Sequence, residues 1–293
     1  MSNFRFYFSL ARLDHWTKNV FLLPGVYWAI LDKNEFNARD LIFSVFAALL
    51  SSSANYTLNE WLDRFSDSHH PTKKYRSAVQ ENLKAKFVYL QYMCLAVTSC
   101  IFALTVKFEM LCIILAFLLM GLLYNVKPIR LKDIFILDVV SESFNNPIRF
   151  LVGWYSISDS FFSNFLFLVG YWGLGAFLMN NKRLSEILYL ANKSEAFLYR
   201  PSFIYYTRKN TNYLSVVYIL ISINLLQLEK ILNPSILVLI VSLIVMFLIR
   251  YYILSKVLWR KSQFIEPEKL IYDPIIQIVV ILILLLFTWN YYI

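Results

Sequence analysis

Residues 41–76 read LIFSVFAALLSSSANYTLNEWLDRFSDSHHPTKKYR. The run 41–58 is apolar and has the length of a membrane span, for which about 17–25 residues suffice. It ends in Asn55-x-x-x-Asn59-x-x-x-Asp63-x-x-x-Asp67. Each step of four advances a helix by about 400°, so these four side chains form one slowly turning stripe. Two carboxylates and two carboxamides offer only hard oxygen donors. That set suits Mg²⁺, which binds through one or two carboxylates and completes its shell with water and substrate phosphates. A solvated helix end has the same spacing, but the adjoining loop shifts the weight. His69-His70-Pro71-Thr72-Lys73-Lys74-Tyr75-Arg76 is dense in cations. A diphosphate held by Mg²⁺ on Asp63 and Asp67 would find Lys73 and Arg76 as counter-charges.

The rest of the chain has the composition such a site needs. It has 293 residues, 59% hydrophobic and only 16% charged, and a mean hydropathy of +0.55. Ordinary globular domains are about 45–50% apolar and about 25% charged. Disordered and collagen-like chains are excluded, and a soluble enzyme is disfavoured. There are 6 Gly, and neither a dinucleotide-binding nor a P-loop glycine pattern is present. Cys94, Cys100 and Cys112 fall inside apolar runs without metal-ligand spacing, as buried small hydrophobes do.

Further apolar runs lie at 87–106, 134–155, 161–179, 234–253 and 274–293, with shorter ones at 17–31, 110–125 and 212–228. The expectation is an all-α polytopic membrane protein of about nine transmembrane helices in one bundle, a single domain over 1–293. The net charge of +9 does not mean nucleic acid, because 23 of the 28 Lys and Arg fall in alternate loops. Positive loops stay in the cytoplasm. The reading therefore places the N-terminus and any active site on the cytoplasmic side of the inner membrane, with the lipid bilayer as the first partner.

Four other constellations carry polar groups. Asp138, Ser141, Glu142, Asn145, Asn146 and Arg149 would form one polar face of a span over 134–155, with Arg149 and Glu142 as candidate ion-pair partners and Pro147 as a kink. Lys182-Arg183-x-x-Glu186 contains an i,i+4 pair and is followed by Tyr199-Arg200-Pro201-Ser202. Arg12-x-x-His15-Trp16-x-Lys18-Asn19 leads into the first run, and Glu266-Pro267-Glu268 with Asp273 precedes the last.

Taken together, these motifs resemble the UbiA superfamily of intramembrane prenyltransferases, and within it the decaprenyl-phosphate phosphoribosyltransferase subgroup. Asn59 to Arg76 resembles that subgroup's N-D-x-x-D-x-x-x-D-x-x-H-P-x-K-x-x-R. Arg12 to Asn19 resembles its leading R-P-x-Q-W-x-K-N. Leu131-Lys132, Asp138, Arg149 and Gly153 fit its fifth-span pattern, Lys182-Arg183-x-x-Glu186 its K-R-x-x-E, and Glu266 to Glu268 its late E-P-E. There are three departures. Glu60 stands where the family has Asp, Asp14-His15 replaces Pro-x-Gln, and Ser77-Ala78-Val79-Gln80 lacks the family's Pro and Gly after Arg76.

The resemblance implies Mg²⁺ on Asn59, Asp63 and Asp67, with catalytic roles for Asp63, Asp67, Lys73 and Arg76. It implies substrate contacts from Lys18, Asn59, Arg149, Lys182, Arg183 and Glu186. The implied substrates are phosphoribosyl diphosphate and a polyprenyl phosphate, within cell envelope biosynthesis. Aromatic prenyltransferases of the superfamily carry a second D-x-x-x-D after the sixth span. Here that place reads Asn180-Asn181-Lys182-Arg183-Leu184-Ser185-Glu186, which suits phosphate directly better than a second metal. Three alternatives stay open: prenyl transfer to an aromatic acceptor, a non-catalytic lipid-phosphate carrier, and a degenerate relative with a purely structural role. The oligomeric state is not legible.

Overall fold

The computed structural model describes residues 3–32, 37–190, 193–222 and 274. The runs expected at 234–253 and 274–293, and the segment Glu266 to Glu268 with Asp273, lie outside these residues except for Pro274. Among the described residues every regular element is a helix. In order they are α1 (Asn3–Ser9), a 3-10 helix (Leu13–Leu22), α2 (Leu23–Leu31), α3 (Ala38–Asp67), a 3-10 turn (Lys73–Tyr75), α4 (Ser77–Gln80), α5 (Ala85–Val106), α6 (Phe108–Asn125), a 3-10 turn (Leu131–Asp133), α7 (Leu137–Ser143), α8 (Asn145–Tyr155), α9 (Phe165–Leu190), α10 (Lys193–Tyr199), a 3-10 helix (Pro201–Tyr205) and α11 (Arg208–Ser222).

Three of these, α3, α5 and α6, are long and apolar enough to cross a membrane. The α3 face turned inward is made of small residues, with Ser44, Ala47, Ala48, Ser51, Ser52 and Ala54 all buried. On α5, Val88, Ala96, Ser99 and Ala103 are buried, while Leu90, Met93, Val97, Ile101 and Leu104 are exposed. Small residues between helices and large apolar ones outside is the pattern of a membrane bundle. Lipid is as apolar as leucine, so only close backbone approach favours helix on helix there.

The chain divides into two compact units, Met1–Phe162 with Ser194–Ser202, and Ser163–Lys193 with Phe203–Ile293. In the first, α3 packs on α5 and α6, and α2 packs on α8. The α2–α8 crossing depends on two glycines. A Cβ at Gly153 would stand 2.1 Å from the Leu22 carbonyl oxygen, and one at Gly25 would stand 2.0 Å from that of Phe150. In the second unit, α9 packs on α11.

Three elements differ from the sequence expectation. The run 134–155 is two helices broken at Phe144. Pro147 falls in the first turn of α8, where a missing N–H leaves no bond unmade, so the helix restarts around the proline instead of kinking through it. The run 17–31 is a 3-10 helix followed by a nine-residue α-helix with a proline in its first turn. Lastly, α9 continues to Leu190, so Asn180 to Glu186 is helix, not loop. The two carboxamide NH₂ groups there find acceptors within the unit. Asn180 donates to the Thr211 carbonyl and the Ser215 hydroxyl, both at 2.8 Å, and Asn181 donates to the Phe177 carbonyl at 2.7 Å.

Candidate active site

The C-terminal end of α3 gathers side chains from four separate stretches of the first unit. Asn55 donates to the Phe117 carbonyl at 3.0 Å. One turn on, the Asn59 amide donates to Asp63 at 3.2 Å and to the Asn125 side-chain oxygen. Asp63 is then met from the segment after α6. Arg130 Nη2 lies 2.9 Å from its Oδ1, and Lys132 Nζ lies 2.5 Å from the same oxygen. Lys132 also donates to Asn125 Oδ1 at 2.7 Å. Its ammonium is nearly fully buried. Burial pulls its pKa down to about 8, with Asp63 holding back part of the loss.

Asp67, one turn beyond, accepts from Arg76 Nη1 at 2.6 Å. Burial alone would lower the Arg76 pKa; Asp67 outweighs it and holds the guanidinium above its ordinary value. Between them the loop is shaped by His70. Its Nδ1 accepts from the backbone N–H groups of Thr72 and Lys73, both at 3.3 Å, so His70 caps a turn. Lys73 Nζ donates to the Tyr199 hydroxyl and lies 4.7 Å from the Tyr199 ring centroid. Arg200 Nη1 donates to the Tyr124 hydroxyl at 3.2 Å, and Tyr124 donates to Glu142 at 2.7 Å.

The leading segment packs nearer the middle of α3. Trp16 Nε1 donates to Ser53 at 2.9 Å, Ser52 donates to Asn19 at 3.2 Å, and the Lys18 ammonium lies 5.4 Å from the Tyr56 ring. Arg12 Nη1 lies 3.6 Å from Glu60. Arg12 (φ 48°) and Arg130 (φ 33°) both take the left-handed backbone conformation immediately before a 3-10 helix. Such residues cost about 1–3 kcal/mol and persist only where surroundings over-determine them. Here each arginine is tied to a carboxylate of α3.

The structure therefore brings Asn59, Asp63, Asp67, Lys73 and Arg76 together. Arg149 joins through Asn19, to which its Nε donates at 3.2 Å, and stacks 5.0 Å over the Phe117 ring. Its sequence-suggested partner Glu142 is engaged with Tyr124 instead. Lys182, Arg183 and Glu186 belong to the second unit. There the pair is Arg183 with Glu186, i to i+3 at 2.9 Å, not Lys182 with Glu186, and both members are buried. Sequence reasoning misses Tyr124, Asn125 and Arg130 outright. Their one signal is the basic loop 126–133, which membrane topology explains by itself.

Among the described residues no group of three or more His, Cys, Asp or Glu could hold a metal alone. Asp63 and Asp67, with the carboxamide of Asn59, still form the sparse hard-oxygen set that Mg²⁺ uses when a substrate phosphate completes its shell. The donor chemistry fits.

The sequence profile of the UbiA prenyltransferase family matches residues 20–264. The chain belongs to the UbiA prenyltransferase family. Solved UbiA-type structures share the fold. A UbiA homologue from Archaeoglobus fulgidus bound to DMAPP and Mg²⁺ is 17% identical, with a TM-score of 0.69 over 98% of this chain and 99% of that one. A UbiA homologue from the same organism bound to GPP and Mg²⁺ superposes with the same TM-score of 0.69. A structure of digeranylgeranylglyceryl phosphate synthase is 14% identical, with a TM-score of 0.67 over 100% of both chains. A comparison with curated proteins finds no match. As a UbiA-family protein the chain is a membrane-embedded transferase of all-helical fold.

Proposed function

We propose that this UbiA-family protein moves a 5-phosphoribosyl group from phosphoribosyl diphosphate to a polyprenyl phosphate, with Mg²⁺, at the cytoplasmic face of the inner membrane. One UbiA-like domain over 1–293 is part of the proposal. The observation that carries it is the segment Asn180 to Glu186. Its only carboxylate, Glu186, is already neutralised by buried Arg183 at 2.9 Å. A second carboxylate pair for a second metal is missing where prenyl-diphosphate enzymes of the superfamily use one.

In this reading Asp63, Asp67 and Asn59 hold Mg²⁺, which when bound with the diphosphate neutralises the charge of the leaving group. Each aspartate is paired with a cation in the structure. Asp63 and Asp67 would hold the metal, and Arg130, Lys132 and Arg76, which pair with them here, are placed to receive phosphate oxygens. Lys73 and Arg76 then face the departing diphosphate. The C1–O bond to diphosphate breaks with its electron pair leaving on oxygen. A lipid phosphate oxygen forms the new C1–O bond. The attacking phosphate is already an anion, so no general base is needed, and positioning with electrostatic stabilisation carries the rate. Lys18, Arg149, Lys182, Arg183 and Glu186 are assigned to the substrates' remaining phosphates and their surroundings.

A second reading is prenyl transfer to an aromatic acceptor, favoured by the DMAPP and GPP in the Archaeoglobus homologues. The two separate in one assay. Purified protein receives Mg²⁺, a polyprenyl phosphate and labelled phosphoribosyl diphosphate, and the organic phase is counted. Label that requires both lipid and metal supports the proposal. No label, in a preparation that prenylates an aromatic acid, supports the second reading.

A further inference from the structure

The Arg76 guanidinium donates to Asp67 at 2.6 Å, yet the backbone that carries it is a single turn. Arg76 opens α4, a helix of four residues. Its carbonyl accepts from the backbone N–H groups of Val79 and Gln80, both at 3.0 Å, and the Gln80 side chain donates to the Lys74 carbonyl at 2.7 Å. These bonds close the turn on itself. Ser77 to Gln80 holds no proline to pre-set the backbone, and an isolated turn is unstable because its nucleus fixes about six dihedral angles for one hydrogen bond. Whatever holds α4 from outside therefore sets where Arg76 stands.

The leading segment supplies that hold, with α1 packed on α4 and α5. The Ser9 hydroxyl lies 2.7 Å from both the Phe6 carbonyl oxygen and the Ser77 hydroxyl, tying α1 to the first residue of α4. Leu10, fully buried, shares one apolar cluster with Trp61 of α3, Ala78 of α4, Leu83 and Val88. The Tyr7 hydroxyl accepts from the Lys84 backbone N–H at 2.8 Å, and its ring meets Phe87 of α5 edge-on, with centroids 5.8 Å apart. Arg12 Nη1 stands 3.6 Å from buried Glu60 of α3. The contacts form a closed ring. They run from Glu60 to Arg12, along α1 to Ser9, across to Ser77 and Arg76, and back to α3 at Asp67. Ser9 and Leu10 have no part in the mechanism above.

We infer that α1 braces the diphosphate subsite, with Ser9 and Leu10 as positioning residues that hold α4, and through it Arg76, against Asp67. This rests on the function proposed above in one respect, that the donor brings a diphosphate to Arg76.

The test is binding calorimetry on the full chain in detergent with Mg²⁺, using pyrophosphate as the main probe and farnesyl phosphate as a monoester control. Arg76→Met weakens pyrophosphate about 10- to 100-fold, the scale of lost charged hydrogen bonds. Leu10→Ala acts through Arg76 and weakens it about tenfold, but combined with Arg76→Met it adds no loss beyond about twofold. Farnesyl phosphate stays within about twofold in both single variants. Ser9→Ala costs about threefold, the scale of one neutral hydrogen bond, again only while Arg76 is present. Ser9→Thr keeps the hydroxyl and binds as wild type does. The Ser9 variants decide the matter where Leu10→Ala does not fold. Additive losses with Arg76→Met, equal weakening of farnesyl phosphate, or unchanged pyrophosphate binding in Leu10→Ala and Ser9→Ala overturns the brace. Coupled loss in protein that transfers no phosphoribosyl group overturns the function but not the brace. Phosphoribosyl transfer with additive losses overturns only the brace, and wild-type protein that binds no pyrophosphate overturns both.

Discussion

Two helices of this protein end in polar residues, and they resolve their charges in opposite ways. At the end of α3, Asp63 and Asp67 are met by Arg130, Lys132 and Arg76, partners 67, 69 and 9 residues away along the chain. At the end of α9, Glu186 is met by Arg183 from its own helix, three residues back. A local i to i+3 pair completes itself as the helix forms and needs nothing from elsewhere. The α3 carboxylates depend on loops that fold onto them from elsewhere in the chain. An end whose charges are held by exchangeable partners can take up a metal and a diphosphate. An end whose carboxylate is paired within its own helix lacks that exchange.

Asp63→Ala breaks the comparison most severely. Turnover in the lipid-label assay falls about 10³-fold or more, the scale of removing a principal electrostatic group from a transfer site, while membrane insertion is unchanged. Retained activity would end the account of the α3 site. On α9, Glu186→Gln leaves a buried guanidinium without its counter-charge and costs about 3–5 kcal/mol of stability, whereas replacing both members with apolar residues, Arg183→Met and Glu186→Leu, is neutral or stabilising. Thermal unfolding of the single and double variants checks this. The double variant sharpens the comparison, because a segment that only supports the fold regains turnover with stability and a segment that reads phosphate does not.

Lys132→Met lowers turnover about 10²-fold by removing the ammonium shared by Asp63 and Asn125; calorimetry with pyrophosphate shows weaker binding in parallel. Gly153→Ala forces a methyl against the Leu22 carbonyl and lowers stability by about 1–3 kcal/mol, read as a lower unfolding temperature. Arg149→Ala lowers turnover about tenfold by releasing Asn19, the scale of one charged hydrogen bond. Lys86→Ala, an exposed control on α5, changes nothing measurable.

The stripe and its basic loop are legible in the sequence because both obey short-range rules. Asn59, Asp63 and Asp67 share a helical period, and Lys73 and Arg76 lie in the loop that continues directly from it. Arg130 and Asn125 are not legible as site residues, because their partners on α3 lie more than sixty positions away, and Tyr124 meets Arg200 from 76 positions away; no periodicity links such distant residues. The length of α9 is hidden for a related reason. Charges at 182, 183 and 186 look like the start of a loop until Arg183 and Glu186 are seen to cancel inside the helix. Pro147 reads as a kink within one span, and its place in a first turn shows why the chain breaks at Phe144 instead.

The most direct test of the central claim is the mass of the product lipid. Wild-type protein, a defined polyprenyl phosphate, phosphoribosyl diphosphate and Mg²⁺ are incubated, and the organic extract is examined by mass spectrometry. The account predicts a polyprenyl phosphate enlarged by one phosphoribosyl unit, absent without Mg²⁺ and absent with Asp63→Ala. Unaltered lipid from protein that joins a prenyl diphosphate to an aromatic acid, or the same enlarged lipid from Asp63→Ala, would contradict it.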